Sequence, residues 1–421
     1  MAMNLIGFVL IRCVYGAPTL PLYITGASLD VSEACTHIRN CRTMWGLVYG
    51  CLLTVFACVW LAAHPNVPER RRASQETGSD RIGYAIVSLI SPEIVTYDAW
   101  EEYLNASRMS EKCKLIEGWT LTHSYFVVMG GFFDPSKCKP VIPENEDDPL
   151  TLFKQYRGII ENSGPGDQWR VVMTKRQILD KSKSDLFTKS FATIQLVWFI
   201  AQYVGRWISH LHRSQLEATA LAYAVLNVPV SMLWRHKPLD VRFPIHVTKG
   251  PHPSTSGANG NQSPPEVLNR RPSASISNGN QPPSAPISNN NQPSQTGDEG
   301  SPAFPRARGN EARVDGIFMV AGIIFGGIHC LAWFFSFPTR VEMMLWRISA
   351  VYVAAVPVLI VSSGLLDRYI ASVSKWVFYI GACSYALARF TLLAIAFSSL
   401  RSPPSDLYRT LSWTSFIPHF G

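Results

Sequence analysis

The sequence predicts an all-α protein: a polytopic transmembrane helix bundle of about six spans, with a small soluble or interfacial lobe and a disordered linker. Three observations carry that reading. Several stretches of spanning length hold almost no charge. The charged residues, only 16% of 421, are segregated into the segments between those stretches. One long insert is rich in Pro, Ser, Asn, Gln and Gly. A typical soluble domain carries about 25% charged residues, so the depletion is itself a signal. The net charge of +8 sits in loops beside apolar spans and is not gathered on one face with a reading element. It therefore points to topology and contact with anionic lipid, not to nucleic acid.

The N-terminal segment 1–44 is read as extracytoplasmic. Met1–Ile11 is apolar but is followed by Arg12, which leaves either a signal peptide cut near Gly16 or Ala17 or a further membrane anchor. The first span covers 45–63 and stops at His-Pro-Asn-Val-Pro. Arg70-Arg71-Arg72 follows and marks the cytoplasmic side. Residues 64–189 form a cytoplasmic and interfacial lobe. Within it, 83–103 begins apolar but then carries Pro92, Glu93, Asp98, Glu101 and Glu102, so a surface-lying or re-entrant helix fits better than a full span. Trp119–Phe133 is apolar but short for a crossing.

Residues 190–235 hold the second and third spans, 190–208 and 216–234. So short a connection makes them antiparallel neighbours. The linker, 236–313, contains a tandem repeat: SASISNGNQPP (273–283) and SAPISNNNQPS (284–294) agree at eight of eleven positions. Such a composition buries too little apolar surface to offset chain entropy. Residues 314–400 supply three more spans, Gly316–Phe337, Met343–Leu365 and Trp376–Phe397. A polar tail, 401–421, ends the chain. This topology places the N-terminus outside or lumenal, in the plasma membrane or an endomembrane. It leaves the sequons at Asn105 and Asn261 cytoplasmic and unused.

A set of short motifs runs along most of the chain apart from the linker. Cys-Arg-Thr-Met-Trp (41–45) enters the first span. Ser-Pro-Glu (91–93), Met-Gly-Gly-Phe (129–132) and Asp-Lys-Ser-Lys-Ser-Asp (180–185) follow. Leu-Glu-Ala-Thr-Ala-Leu-Ala-Tyr-Ala-Val-Leu-Asn (216–227), Lys-Pro-Leu-Asp-Val (237–241) and Trp-Thr-Ser-Phe-Ile-Pro-His (413–419) complete it. With these motifs the chain resembles a large family of uncharacterised multi-pass membrane proteins from filamentous and mushroom-forming fungi. The resemblance implies a membrane protein and brings no activity, cofactor or site with it.

Arg389 is the sharpest single residue. It lies about 4 Å from the centre of Trp376–Phe397 at 1.5 Å per residue. A charge there costs at least about 3 kcal/mol, so it should face the bundle interior and meet an acid; Glu217, Glu93 and Asp98 are the candidates. The functional interpretation is a substrate or ion site, and the plainer one is a structural ion pair. Arg347, Arg206 and Lys189 sit nearer span ends, where snorkelling accounts for them.

Glu93, after a proline break, could titrate, or simply mark a helix that does not span. His210-x-His212 could bind a metal with His329 or a distant carboxylate, but two loop histidines alone fall short of the three or four ligands that a site needs. Gly46/Gly50 and Gly322/Gly326 let helix backbones approach closely, within the chain or in a homo-oligomer. Cys35 and Cys41 would face an oxidising compartment and form a candidate disulfide. No zinc, P-loop, nucleophile-elbow or dinucleotide pattern occurs, and no cofactor is called for.

The first functional reading is a non-enzymatic structural, sensing or adaptor protein. It would hold the lipid bilayer and recruit cytoplasmic proteins through lobe and linker. A small-molecule or ion transporter with a site near Arg389 is the second. A membrane-embedded lipid-modifying enzyme is the third.

Overall fold

A computed structural model describes residues 42–62, 66–67, 77–143, 148–164, 167–182, 186–239, 241, 243–250, 311–366 and 374–410. Cys35, Cys41, the Arg70–Arg72 cluster, the repeats of the linker and the C-terminal motif lie outside the described residues. Among the described residues, four helices are long and apolar enough to cross a membrane. They cover Gln215–His236, Gly316–Phe334, Arg340–Ser362 and Tyr379–Arg401. Met44–Trp60 is also apolar but shorter. The expected second span forms a helix, Leu186–Ile208, but is not among the four. Lys189, Gln195, Gln202 and Arg206 dilute it.

Six long helices build the bundle. They are α1 (Met44–Ala62), α7 (Leu186–Ile208), α8 (Gln215–Leu233), α9 (Glu311–Cys330), α10 (Arg340–Leu366) and α11 (Ser374–Ser398), with α8 at the centre, packed on α1, α7, α9 and α11. Small residues make that centre possible. Ala218, Ala220, Ala222 and Ala224 of α8 are all buried, so four neighbours can approach one backbone closely. Gly322 and Gly326 do the same for α9. A Cβ at Gly322 would collide with Pro357 of α10, and one at Gly326 with the backbone of Ala354. This glycine pair is therefore used within the chain. At Gly50 of α1 a Cβ would meet nothing. Outside, the bundle is apolar: Trp45, Ile194, Leu359, Ile380 and Leu387 are all more than 60% exposed.

Between α1 and α7 the chain builds a lobe with a core of its own. Tyr125, Phe126, Phe153, Ile159, Ile160 and Ile178 are among its largest buried side chains. The lobe is not purely helical, as the all-α expectation would have it. Besides α4 (Leu121–Val128), α5 (Pro149–Phe153) and α6 (Lys175–Asp180), it holds three small sheets. In the first, β1 (Ile116–Glu117) runs parallel to β6 (Trp169–Val171), which pairs antiparallel with β5 (Ile160–Asn162). In the second, β2 (Phe132–Asp134) lies between antiparallel β3 (Lys139–Pro140) and parallel β7 (Ile245–His246). In the third, β4 (Tyr156–Arg157) pairs with β8 (Thr248–Lys249). Strands this short show no alternation to read. β7 and β8 also move the lobe boundary: 245–249, assigned by composition to the linker, closes two sheets of the lobe.

His123 pins α4 from both ring nitrogens. Its Nδ1 accepts from the Thr120 amide at 3.1 Å, and its Nε2 lies 2.8 Å from the Met173 carbonyl. The neutral ring protonated at Nε2 satisfies both. Burial holds its pKa below the ordinary value of 6.5. Stability from this histidine is thus present above pH 6.5 and lost as pH falls through the lower folded value.

Two outcomes follow from the packing. Lobe unfolding should shift to lower temperature between pH 7 and pH 5, and His123→Gln, which cannot titrate, should flatten that slope. In detergent, Gly326→Leu should destabilise the bundle by about 1–3 kcal/mol, while Gly50→Leu leaves it unchanged; equal effects would refute the close approach of α9 and α10.

Candidate functional site

The site begins with a broken helix. α2 (Thr77–Ile90) is apolar and meets Ser91–Pro92 at its end. Pro92 has no amide hydrogen to continue the ladder, and it forces Ser91 out of the helical region, to φ −142° and ψ 75°. Pro92 then starts α3 (Pro92–Lys112) in the one helical position that suits it. The two helices fold back on each other. Tyr84, seven residues before Ser91, donates to Asp98, seven residues after it, at 2.8 Å. In one continuous helix those residues would stand about 21 Å apart. The pair is a helical hairpin with its tip at Ser91–Pro92.

That tip lies level with the middle of the bundle. Its last helical residues bond Tyr223 and Arg389, and Phe325 lines the cavity beside them. Phe325 is the central residue of Gly316–Phe334, and Arg389 is next to the centre of Tyr379–Arg401. Breaking a helix there orphans its last carbonyls. Two of them find partners on other helices. Tyr223 of α8 donates its hydroxyl to the Leu89 carbonyl. Arg389 of α11 donates Nε–H to the Ile90 carbonyl at 2.8 Å.

Glu93 completes the arrangement. It is fully buried in the first turn of α3. Ser91 Oγ donates to one of its oxygens at 3.0 Å, and Tyr385 donates to the other at 2.8 Å. Arg389 Nη1 stands 3.9 Å from that second oxygen. The cation therefore caps the negative end of α2, and the carboxylate sits at the positive end of α3. Each charge has the sign that its helix terminus favours. The guanidinium also lies 3.5 Å from the centroid of the Phe325 ring, with Tyr223 and Tyr385 at 5.5 and 5.8 Å. Nη1 and Nη2 are buried with no hydrogen-bond acceptor, so the aromatic faces supply much of their stabilisation. A cavity of about 30 Å³ adjoins the tip, walled by Ile90, Thr219, Tyr223, His329 and Arg389. That is room enough for water.

Of the residues singled out in the sequence, only Arg389 and Glu93 meet. Glu217 is at the opposite end of α8 from the lobe. It closes a capping box with Ser214 and takes a two-pronged contact from Arg42, at 2.6 and 3.1 Å. Asp98 is occupied by Tyr84. Arg347 donates to the Trp333 carbonyl and stacks on that ring at 4.8 Å. His212 approaches Asp406, whereas His329 is buried beside Phe325. Among the described residues no group of three or more His, Cys, Asp or Glu could hold a metal.

A second pair was not anticipated from the sequence. Lys237, just past α8, is buried and bonds both oxygens of Glu102 at 2.8 and 2.7 Å. Trp234 Nε1 donates to the same carboxylate at 2.7 Å. Lys189 of α7 donates to the carbonyl of Lys237 at 2.7 Å. Helix α3 is thus fastened twice: by Glu93 in the bundle centre and by Glu102 beside the lobe.

A family of unknown function (DUF8562) matches residues 20–114 and 106–256, together more than half of the 421 residues, and the chain belongs to that family. No curated protein and no solved structure matches the chain. The matched part contains both helices of the hairpin, the lobe and α8. Arg389, Tyr385 and Phe325 lie outside it.

Arg389→Met should lower bundle stability by about 3 kcal/mol or more, because it leaves Glu93 buried without its cation and Ile90 without its donor. In a double-mutant cycle with Glu93→Gln, unfolding in mixed detergent should give a coupling of at least about 1 kcal/mol. Additive effects would show that the two charges do not act as a pair.

Proposed function

We propose that this chain is a multi-pass membrane protein with a structural, sensing or adaptor role and no catalytic one. In this reading α1 and α7–α11 make six crossings, and the α2–α3 hairpin re-enters the bilayer from the lobe side to its centre. The lobe and linker face the cytoplasm, where they recruit protein partners, and the N-terminus is outside or lumenal. Arg70–Arg72, next to the lobe, supports that orientation. The apolar outer surface of the bundle supports the membrane setting.

The observation that carries the role is the double fastening of α3. One rigid helix connects the bilayer centre, through Glu93, to the lobe, through Glu102. A change in how the bundle packs would be transmitted along it to whatever the lobe holds. Of the two glycine pairs, Gly46/Gly50 is the one left for contact with a second copy.

A transporter is the second reading. A broken helix beside a buried arginine is the kind of element that lines solute sites. The adjoining cavity is small, about 30 Å³, so passage of a larger solute would require the hairpin to move.

The chain should remain in the membrane fraction after alkaline carbonate. In the detergent-solubilised protein, Arg389→Met should speed amide exchange about tenfold or more along the whole of Pro92–Lys112, including the turns beyond Glu102. Faster exchange confined to the first turn would defeat the strut, and uptake of a solute into proteoliposomes that Arg389→Met abolishes would favour transport.

A further inference from the structure

The end of the bundle opposite the lobe carries an unbalanced cluster of arginines. Arg42, just before α1, and Arg206, near the end of α7, approach the C-terminal segment. Arg42 Nε donates to the Leu407 carbonyl at 2.7 Å, and Arg206 donates to the carbonyls of Arg409, His212 and Leu407 at 2.6, 2.7 and 3.2 Å. Arg206 is only 4% exposed, and its Nε has no partner. These bonds satisfy donors but bring no counter-charge. Glu217, the buried acid nearby, is already held by both prongs of Arg42. Asp406 is half-exposed and faces His212.

Arg213 completes the cluster. It precedes the Ser214 cap in the short α7–α8 connection. Its guanidinium is ringed by Tyr203, Trp207 and Phe335, with centroids at 5.5, 5.3 and 5.3 Å. Its Nε is buried without a partner, and no described carboxylate pairs with it. The N-terminal end of the 19-residue helix α8, already capped by Ser214 and Glu217, lies immediately beyond. Trp207, Ile208 and Phe334, on the same rim, are 49%, 62% and 90% exposed.

We propose that Arg213 holds the phosphate of a phospholipid headgroup, with the buried Arg206, which meets only carbonyls, supplying further positive charge beside it. A guanidinium fork matches phosphate oxygens in shape and charge. The lipid source follows from the collar: an exposed tryptophan and neighbouring apolar side chains beside a cation are what a headgroup with its glycerol and upper acyl chain contacts. Free phosphate would use the arginines and leave that collar in water. The assignment rests on the membrane reading above. A chain that needs no detergent would fail that reading before any lipid is added, so the two failures are distinguishable.

The test is thermal unfolding of the full chain in a neutral detergent under four conditions: no addition, phosphatidylglycerol, a diacylglycerol with the same chains, and inorganic phosphate. Phosphatidylglycerol should raise the midpoint by about 4 °C or more, with no response to diacylglycerol or phosphate. Arg213→Gln should lose the shift. Arg401→Gln, an exposed arginine on the same end that pairs with Glu342, should keep it. Retention of the shift in Arg213→Gln, an equal shift with diacylglycerol, or a full shift with inorganic phosphate would each overturn the proposal. If Arg213→Gln does not fold, native mass spectrometry of the unaltered chain decides: preferential retention of phosphatidylglycerol over diacylglycerol upholds the site, and equal retention overturns it.

Discussion

A helix that stops in the middle of an apolar bundle leaves backbone carbonyls that neither water nor the helix itself can satisfy. Pro92 creates that situation at the end of Thr77–Ile90. The rest of the site answers it. Tyr223 and Arg389 come from two different helices to bond the carbonyls of Leu89 and Ile90. The arginine brings a charge with it, and Glu93, one residue beyond the proline, balances it at the start of the next helix. The aromatic rings of Phe325, Tyr223 and Tyr385 shield what remains of the guanidinium. Each component is costly alone, and each offsets the cost of another.

The consequence is mechanical. Helix α3 cannot slide or rotate without separating Glu93 from Arg389 and Tyr385 at one end, or Glu102 from Lys237 and Trp234 at the other. Because Lys237 follows directly on α8, the central helix of the bundle participates in both fastenings: Tyr223 reaches the hairpin tip, and the residues after Leu233 reach the lobe. The lobe's sheets are in turn closed by 245–249. The chain thus returns to the lobe after α8 before entering the linker. Lobe and bundle are two cores sharing one hairpin and one helix.

Much of this was legible in the sequence, but unevenly. Long apolar runs read directly as helices, because burial or lipid contact around the whole circumference needs no periodicity. Arg389 stood out for the same reason: a charge in such a run has few explanations. The proline followed by Glu93 marked a helix that does not simply cross. The acid that meets Arg389 could not be chosen, because Glu93, Glu217 and Asp98 lie in comparably apolar contexts and only tertiary geometry separates them. Glu217 was drawn off by Arg42, and Asp98 by Tyr84. The Glu102–Lys237 pair gave no sign, since both residues sit in polar stretches that look solvated. The lobe's strands were invisible for want of length. Composition also hid β7 and β8, which run directly into a segment rich in Pro, Ser and Asn.

The depth of the hairpin tip tests the central claim most directly. Nitroxides placed by cysteine substitution at Ile94, near the tip, and at Ile82, a turn or two toward the lobe, can be compared in a cysteine-free chain reconstituted into bilayers. Both side chains are exposed on the bundle surface. A hairpin that reaches the bundle centre makes the label at 94 far more accessible to oxygen than to a polar nickel chelate, with the label at 82 measurably shallower. Equal and high collision with the chelate at both positions would place the hairpin on the surface and contradict the arrangement around Arg389.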